Sequence, residues 1–386
     1  MTVLLAYLGQ MILNPVISPL SRAMGMAEWQ IGATISLAAM ALVVFSQFWG
    51  RRSQRLGVKR TLFTAMTIAL VALAGFAVVS WLGTAGLLAG PLLVVLVMAT
   101  RGVVYGSAIS AVSPSAQSYL VTHSVTEEQR VRAVGAVGAM NGFSGILGSV
   151  LGGALSAIGG LMLPITLMPV AILVGIVLLG LRFRPERSTG LVEKPASISF
   201  RDPRVAPFLV AGFLMFLAFS SVQSVIGFAV QDRFGLGPEA TAAVTAVMTV
   251  IIALTMAVTQ SAGVARLHWD SRRLLRSGLL VAAVGGVLML PFGSPVIMGV
   301  GGALLGIGVG MAMPGYTAGP TMSMTVEEQG GLAGLINANN GLTYAIAPVL
   351  STSLYGANHT VPFIGLVVLL AGGTVFCHLH PNLRRG

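Results

Sequence analysis

The stretch Gly50-Arg51-Arg52-Ser53-Gln54-Arg55-Leu56-Gly57-Val58-Lys59-Arg60 places five cationic side chains between two apolar runs. Each run is about 20 residues long, enough for a helix to cross the hydrocarbon core of a bilayer. Lys and Arg resist translocation, so a short basic loop between two such runs reads as a turn on the cytoplasmic side. The chain is therefore expected to be built of membrane helices joined by short loops, with this loop fixing their orientation.

Composition agrees. Of 386 residues, 55% are hydrophobic and only 9% charged, and mean hydropathy is +0.89, which excludes a soluble globule. The net charge of +11 would suggest nucleic acid in a soluble protein, but the cations sit in short loops between apolar runs, where orientation explains them. No nucleic-acid partner is expected. A single cysteine, Cys377, allows no internal disulfide. Its spacing to His378 and His380 is read as the end of the last helix, and no metal or other cofactor is expected. The first residues lack a basic leader and a small-residue cleavage site, so they are read as a retained first helix.

Apolar runs bounded by Gly, Pro or charge predict twelve spans, near 2–20, 29–50, 61–82, 88–121, 131–157, 161–181, 206–230, 238–262, 274–292, 294–322, 331–355 and 360–379. On this map five cations fall in 51–60, two in 130–132, six in 182–204, four in 266–276 and two in 384–385, so 19 of 22 lie on one side. The exceptions are Arg22, Arg233 and, inside a span, Arg101. Both termini and residues 182–205 are therefore expected in the cytoplasm. Residues 182–205, rich in Arg, Pro, Glu and Ser, divide the chain into 1–181, a linker, and 206–386. The halves repeat: Gly106, Pro114 and Glu127-Glu128-Gln129 recur as Gly306, Pro314 and Glu327-Glu328-Gln329, and Gly263 to Arg273 overlays Gly50 to Arg60, with Asp270 where Gly57 stands.

The basic loop closely resembles the one between helices 2 and 3 of the major facilitator superfamily. The resemblance implies an all-α membrane protein of twelve transmembrane helices in two six-helix bundles, with a substrate site between them. It also makes Gly50, Gln54, Arg55, Gly57 and Arg60 a conformational switch that latches the bundles; the family usually has aspartate where this chain has Gln54. Leu8-Gly9, Pro15-Val16 and Pro19 resemble a first-helix signature of the twelve-helix drug/proton antiporter branch. Gly148-Ser149 and Gly152, with Gly135, Ser144 and Gly153 around them, resemble that branch's fifth-helix signature, with Ser149 replacing its proline. Small residues every four positions let two helices approach closely, either as a pivot or as plain packing.

Prolines in the first span free carbonyls that lipid cannot satisfy, so that segment should face protein or water. Tyr7, Gln10, Asn14 and Ser18 would share one face of a continuous helix. Asn337, Asn340 and Tyr344 share another, and Asn141 is the repeat mate of Asn340. With Gln223 these are candidates for lining a substrate cavity, or for bonding helices together. All eleven carboxylates lie in loops or at span ends, whereas proton-coupled exporters commonly keep one within the membrane. No arrangement of nucleophile, base and oxyanion donors is present, so an enzyme is not expected.

Arg101 lies about a dozen residues into the fourth span, where a charge costs roughly 2.5–3.5 kcal/mol. It resembles the fourth-helix arginine of the superfamily, although Gly106 follows five residues later where four is usual. Tyr105 shares its face. A cavity arginine without a fixed counter-ion favours an anionic or zwitterionic substrate. The chain is thus expected to be a monomeric secondary transporter in a plasma membrane, of the bacterial inner-membrane kind. It would export a small organic molecule, such as a drug, a metabolite or a siderophore-like anion, in exchange for protons. An importer or facilitator of a small solute, and a receptor that keeps the fold without transporting, are the other readings.

Overall fold

The computed structural model describes residues 2–116, 127–182, 198–267, 269–290 and 294–384; at 2–3, 54, 127–139, 141, 265, 326–327 and 329–330 it describes the backbone alone. Gln54 and Asn141 therefore lie outside the described side chains, as does most of the 182–205 linker. Every described element is helical.

One compact unit comprises 1–192 with 236–247, the other 193–235 with 248–386. In the first, α1 (Thr2–Met11) and α2 (Ile17–Ala23) precede the long helices α3 (Glu28–Leu56) and α4 (Val58–Thr84). Next come α5 (Gly90–Val97), a π-helical stretch (Met98–Val104), α6 (Tyr105–Ile109), α7 (Glu127–Gly159) and α8 (Met162–Arg182). The second unit holds α9 (Ala206–Phe234) and α12 (Ser271–Leu288) to α16. Between them α10 (Pro238–Val258), whose first turns group with the first unit, leads through a π stretch (Thr259–Gly263) into α11 (Val264–Leu267). The last four helices are α13 (Pro295–Ala318), α14 (Val326–Ala357), α15 (Val361–Leu379) and α16 (Pro381–Arg384).

Among the described residues, each of the twelve expected spans falls on helical segments; residues 117–121 of the fourth and 291–292 of the ninth lie outside them. Among the described residues, nine helical segments are long and apolar enough to cross a membrane. The other three expected spans differ for local reasons. The first is broken into α1 and α2, α12 begins with Arg272, Arg273 and Arg276, and α14 carries acids at its start and three asparagines within it. Large apolar side chains such as Val71, Leu181, Val296 and Leu379 point outward, because lipid tails are as apolar as the interior and give no reason to hide them.

Where helices touch, small residues set the distance. The tightest pair in the second unit is α12 against α13. Ser271, Gly278 and Gly285 face Gly315, Gly308 and Gly301 in antiparallel order. A Cβ built on Gly278 would lie 2.5 Å from the Gly308 carbonyl oxygen, and one on Gly285 would lie 2.7 Å from that of Gly301. The spacing of seven keeps one narrow seam in contact along both helices. α9 packs on nearly its whole circumference, and 78% of its most apolar window is buried.

The two basic turns solve one geometric problem in two ways. Gly57, between α3 and α4, has φ +84°, a conformation that only glycine adopts without strain. Its repeat mate Asp270 has φ −67° and caps α12, its carboxylate accepting from the Arg273 N–H at 3.4 Å.

Candidate functional site

In the first unit the site is built around two irregular backbones. Pro15 cannot donate the bond that would continue α1, and residues 12–16 pass through turns: Asn14 N–H donates to Met11 O (3.2 Å), and Val16 and Ile17 both donate to Leu13 O. The break is braced by α7. A Cβ on Gly148 would collide with the Met11 side chain; one on Gly152 would collide with the Ile12 carbonyl oxygen and lie 2.8 Å from Pro15. Ser144, one turn earlier, donates to Leu4 O at 3.1 Å. Ser149 is buried and donates back to Gly145 O within α7. The close helix approach expected from the small residues is present, and its partner is the interrupted segment of α1. The break also interrupts the polar face foreseen for the first span: Tyr7 and Ser18 are buried, Gln10 is half-buried, and Asn14 is exposed with its amide on the Met11 sulfur.

Arg101 occupies the second irregularity, the π stretch Met98–Val104. A π turn bonds i to i+5 and holds one residue more than an α turn. The extra residue between Arg101 and Gly106, a departure from the superfamily spacing, is what such a turn absorbs. From Gly102 onward the helix is held against α3: a Cβ on Gly102 would lie 3.2 Å from Thr34 O, and one on Gly106 2.7 Å from Ala38 O. Trp49 Nε1–H adds a 2.6 Å bond to Ser107 O.

Arg101 is only 5% exposed, and its guanidinium carbon lies 4.8 Å from the centre of the Tyr105 ring, within cation–π range. Tyr105 is fully buried. Neither the Arg101 Nε nor the Tyr105 hydroxyl has a hydrogen-bond partner, an omission that costs about 1–3 kcal/mol for each such group. Native structures seldom leave buried donors unpaired without a functional reason.

In the second unit the predicted residues divide. Gln223 is the one exposed side chain between 215 and 230 on otherwise buried α9, and Asn337 and Tyr344 are exposed as well. Asn340 is tied into the scaffold. It accepts from the Tyr316 hydroxyl at 3.0 Å, and Asn339 donates both to that hydroxyl (3.1 Å) and to Leu209 O (3.1 Å). These bonds join α9, α13 and α14 around Tyr316, whose ring fills the space beside Gly212. Asn339, the anchor of the network, is buried and meets the same Tyr316 hydroxyl as Asn340, yet the face drawn through Asn337, Asn340 and Tyr344 passed over it.

Of the predicted switch residues, Gly57 supplies the positive-φ turn, Gly50 is half-buried, and Arg55 and Arg60 are exposed. Lys59 donates to Gly180 O at 3.0 Å, placing a cation at the negative end of α8.

The sequence matches the Major Facilitator Superfamily model over residues 1–348. The chain belongs to the major facilitator superfamily. Solved structures agree in fold. The human organic anion transporter MFSD10 (TETRAN) is 17% identical with a TM-score of 0.65, covering 97% of this chain and 96% of that one. A bacterial homolog of the human lysosomal transporter Spinster, inward-facing and occupied, is 14% identical with a TM-score of 0.71, covering 97% and 93%. A bacterial homologue of the iron transporter ferroportin, inward-facing, is 13% identical with a TM-score of 0.71, covering 97% and 95%. None of the curated proteins compared with the chain is similar enough in sequence to count as a relative. As a major facilitator protein, the chain is a multi-pass membrane transporter of a small molecule.

Proposed function

We propose that this transporter exports a small organic anion or zwitterion by alternating access, with Arg101 as the residue that meets the substrate's negative charge. The observation that carries this reading is the buried pair of Arg101 and Tyr105, which leaves a guanidinium N–H and a phenol without partners. A carboxylate or enolate would satisfy both donors through charge-assisted bonds. In low-dielectric surroundings an arginine without a counter-ion repels lipophilic cations. A sequence of carboxylates confined to loops and span ends points the same way. One of the similar folds is called an organic anion transporter, but at that identity the likeness bears on fold, and the anion reading rests on Arg101.

Export, rather than import, is supported by the sequence signatures of α1 and α7, which resemble the drug/proton antiporter branch. The braced break gives that signature a mechanical role. Gly148 and Gly152 let α7 follow the α1 break closely, so that the pair acts as a pivot. Exchange for protons belongs to the same reading, as do a plasma-membrane location, cytoplasmic termini, a monomer, and the division at 182–205. Gln223, Asn337 and Tyr344 are the second unit's exposed polar candidates for the substrate, with Gln10 and Asn14 in the first.

Profiling of the growth medium from deletion and overexpression strains tests export: carboxylated metabolites should rise outside overexpressing cells and accumulate inside deletion cells. For the solute so found, Arg101→Ala should abolish transport at normal membrane insertion, and Arg101→Lys should leave part of it, since a lysine keeps the charge without the fork. Efflux of a permanently cationic dye, undiminished in Arg101→Ala, would overturn the reading.

A further inference from the structure

We propose that the basic end of α3 binds the headgroup of an anionic phospholipid, with the acyl chains lying on the same helix's apolar face. This goes beyond the transport reading and stands or falls without it.

Val44, Phe48, Arg51, Arg52 and Arg55 recur at helical spacing and, with Gln47 and Leu56, line one open groove. Val44 is 67% and Phe48 51% exposed, so the apolar half of the groove is not covered by the chain. Depth separates the two halves. Counting from the start of α3 at Glu28, a rise of 1.5 Å per residue puts Val44 about 24 Å and Phe48 about 30 Å along the helix. That is within, and at the edge of, a hydrocarbon core of about 30 Å. Arg51 to Arg55 then fall at about 35–40 Å, in the headgroup layer.

The arginines are otherwise uncommitted. Among the described residues, Arg51, Arg52 and Arg55 make no hydrogen bond or ion pair, while Lys59 in the same turn is bonded to Gly180 O. The Arg52 guanidinium sits 6.0 Å from the Phe48 ring centre, and its Nε is buried without a partner. A phosphodiester offers what these groups lack: oxygens spaced for a guanidinium fork, carried on chains that cover Val44 and Phe48. A soluble anion would meet the charge and leave the apolar floor bare.

Native mass spectrometry of the full-length protein tests this, after reconstitution in mixed phosphatidylglycerol and phosphatidylcholine. Retained phosphatidylglycerol should exceed phosphatidylcholine, and its retention should fall by about fivefold for each arginine changed to glutamine. Phe48→Ala should weaken retention without changing charge, and it serves alongside the single variant Arg55→Gln if the Arg51→Gln, Arg52→Gln, Arg55→Gln triple variant fails to fold. Millimolar glycerol 1-phosphate should displace nothing. Equal retention of the two lipids, retention unchanged in the arginine and Phe48 variants, or displacement by glycerol 1-phosphate would each overturn the proposal, the last by showing a site for soluble anions.

Discussion

Gly152 has no room for a side chain, because the space beside it is taken by the Ile12 carbonyl and Pro15. Gly145, two turns earlier on the same helix, has nothing within 4 Å. Forcing bulk into a packed contact costs about 1–3 kcal/mol. We therefore expect Gly152→Leu to reduce transport and thermal stability at normal insertion levels, and Gly145→Leu to leave both near wild type. Transport assays on proteoliposomes and thermal melts of the purified variants check this; equal behaviour of the two leucines would remove the pivot. Arg101 makes a related point. Its charge and depth were legible from the chain, but its odd distance to Gly106 was not interpretable until a π turn was seen to take up the extra residue.

Between elements, a polar clasp on the second unit lends itself to a pH test. Arg204, just before α9, holds Asp202 at 2.8 Å and Glu328, near the start of α14, at 2.9 Å. Its Nη1 also donates to Ser323 O, and Asn382 of α16 donates to Pro203 O. Hydrogen bonds from Arg204 hold both carboxyls below their ordinary range. The sign follows: groups with depressed values stabilise the folded state above their unfolded values, about 3.9 and 4.3, and lose that contribution as pH falls through the folded ones. Because the groups are solvent-exposed the effect is small and screened by salt. Melting temperatures of wild type and Arg204→Ala should differ slightly at pH 7 in low salt, begin to converge as pH falls below about 4, and coincide only below the lowered folded values; a constant difference would mean that Arg204 acts by packing alone. From sequence, Glu328 was visible only as a repeat mate of Glu128. Its partner lies 124 residues away, and no local pattern names it.

For the whole molecule, orientation is the property most directly checked. In the proposed orientation, which rests on the cation count, residues 182–205 face the cytoplasm. A cysteine introduced at Ser188, with Cys377 replaced, should resist an impermeant maleimide in intact cells and react after permeabilisation; labelling of intact cells would reverse the orientation. The three cations off the basic side each have a structural reason to be there. Arg22 pairs with Glu28 at 3.0 Å. Arg233 donates to Met289 O at 2.8 Å and lies 4.1 Å from the Phe363 ring centre. Arg101 differs from both: it is only 5% exposed, its Nε is unpaired, and its recorded neighbour is the Tyr105 ring, which is why substrate binding is proposed for it.

The membrane class, the run of helices, the repeat between halves and the superfamily were all readable from the chain, because hydropathy, loop charge and fixed motif spacing are properties of short segments that survive without tertiary context. The small residues of α7 and the arginine of the fourth span were readable there too. What those features touch emerged from the packing of the helices. The α7 glycines meet a break in α1, Asn340 bonds Tyr316 while Asn337 and Tyr344 stay open, and the glycines of α12 and α13 meet in a seam that composition alone did not reveal. Helical periodicity assigns a residue to a face only while the helix is regular. Pro15 and the π turn at Arg101 interrupt that regularity where the candidate site is built, so the site's geometry depends on the neighbouring helices that hold those interruptions in place.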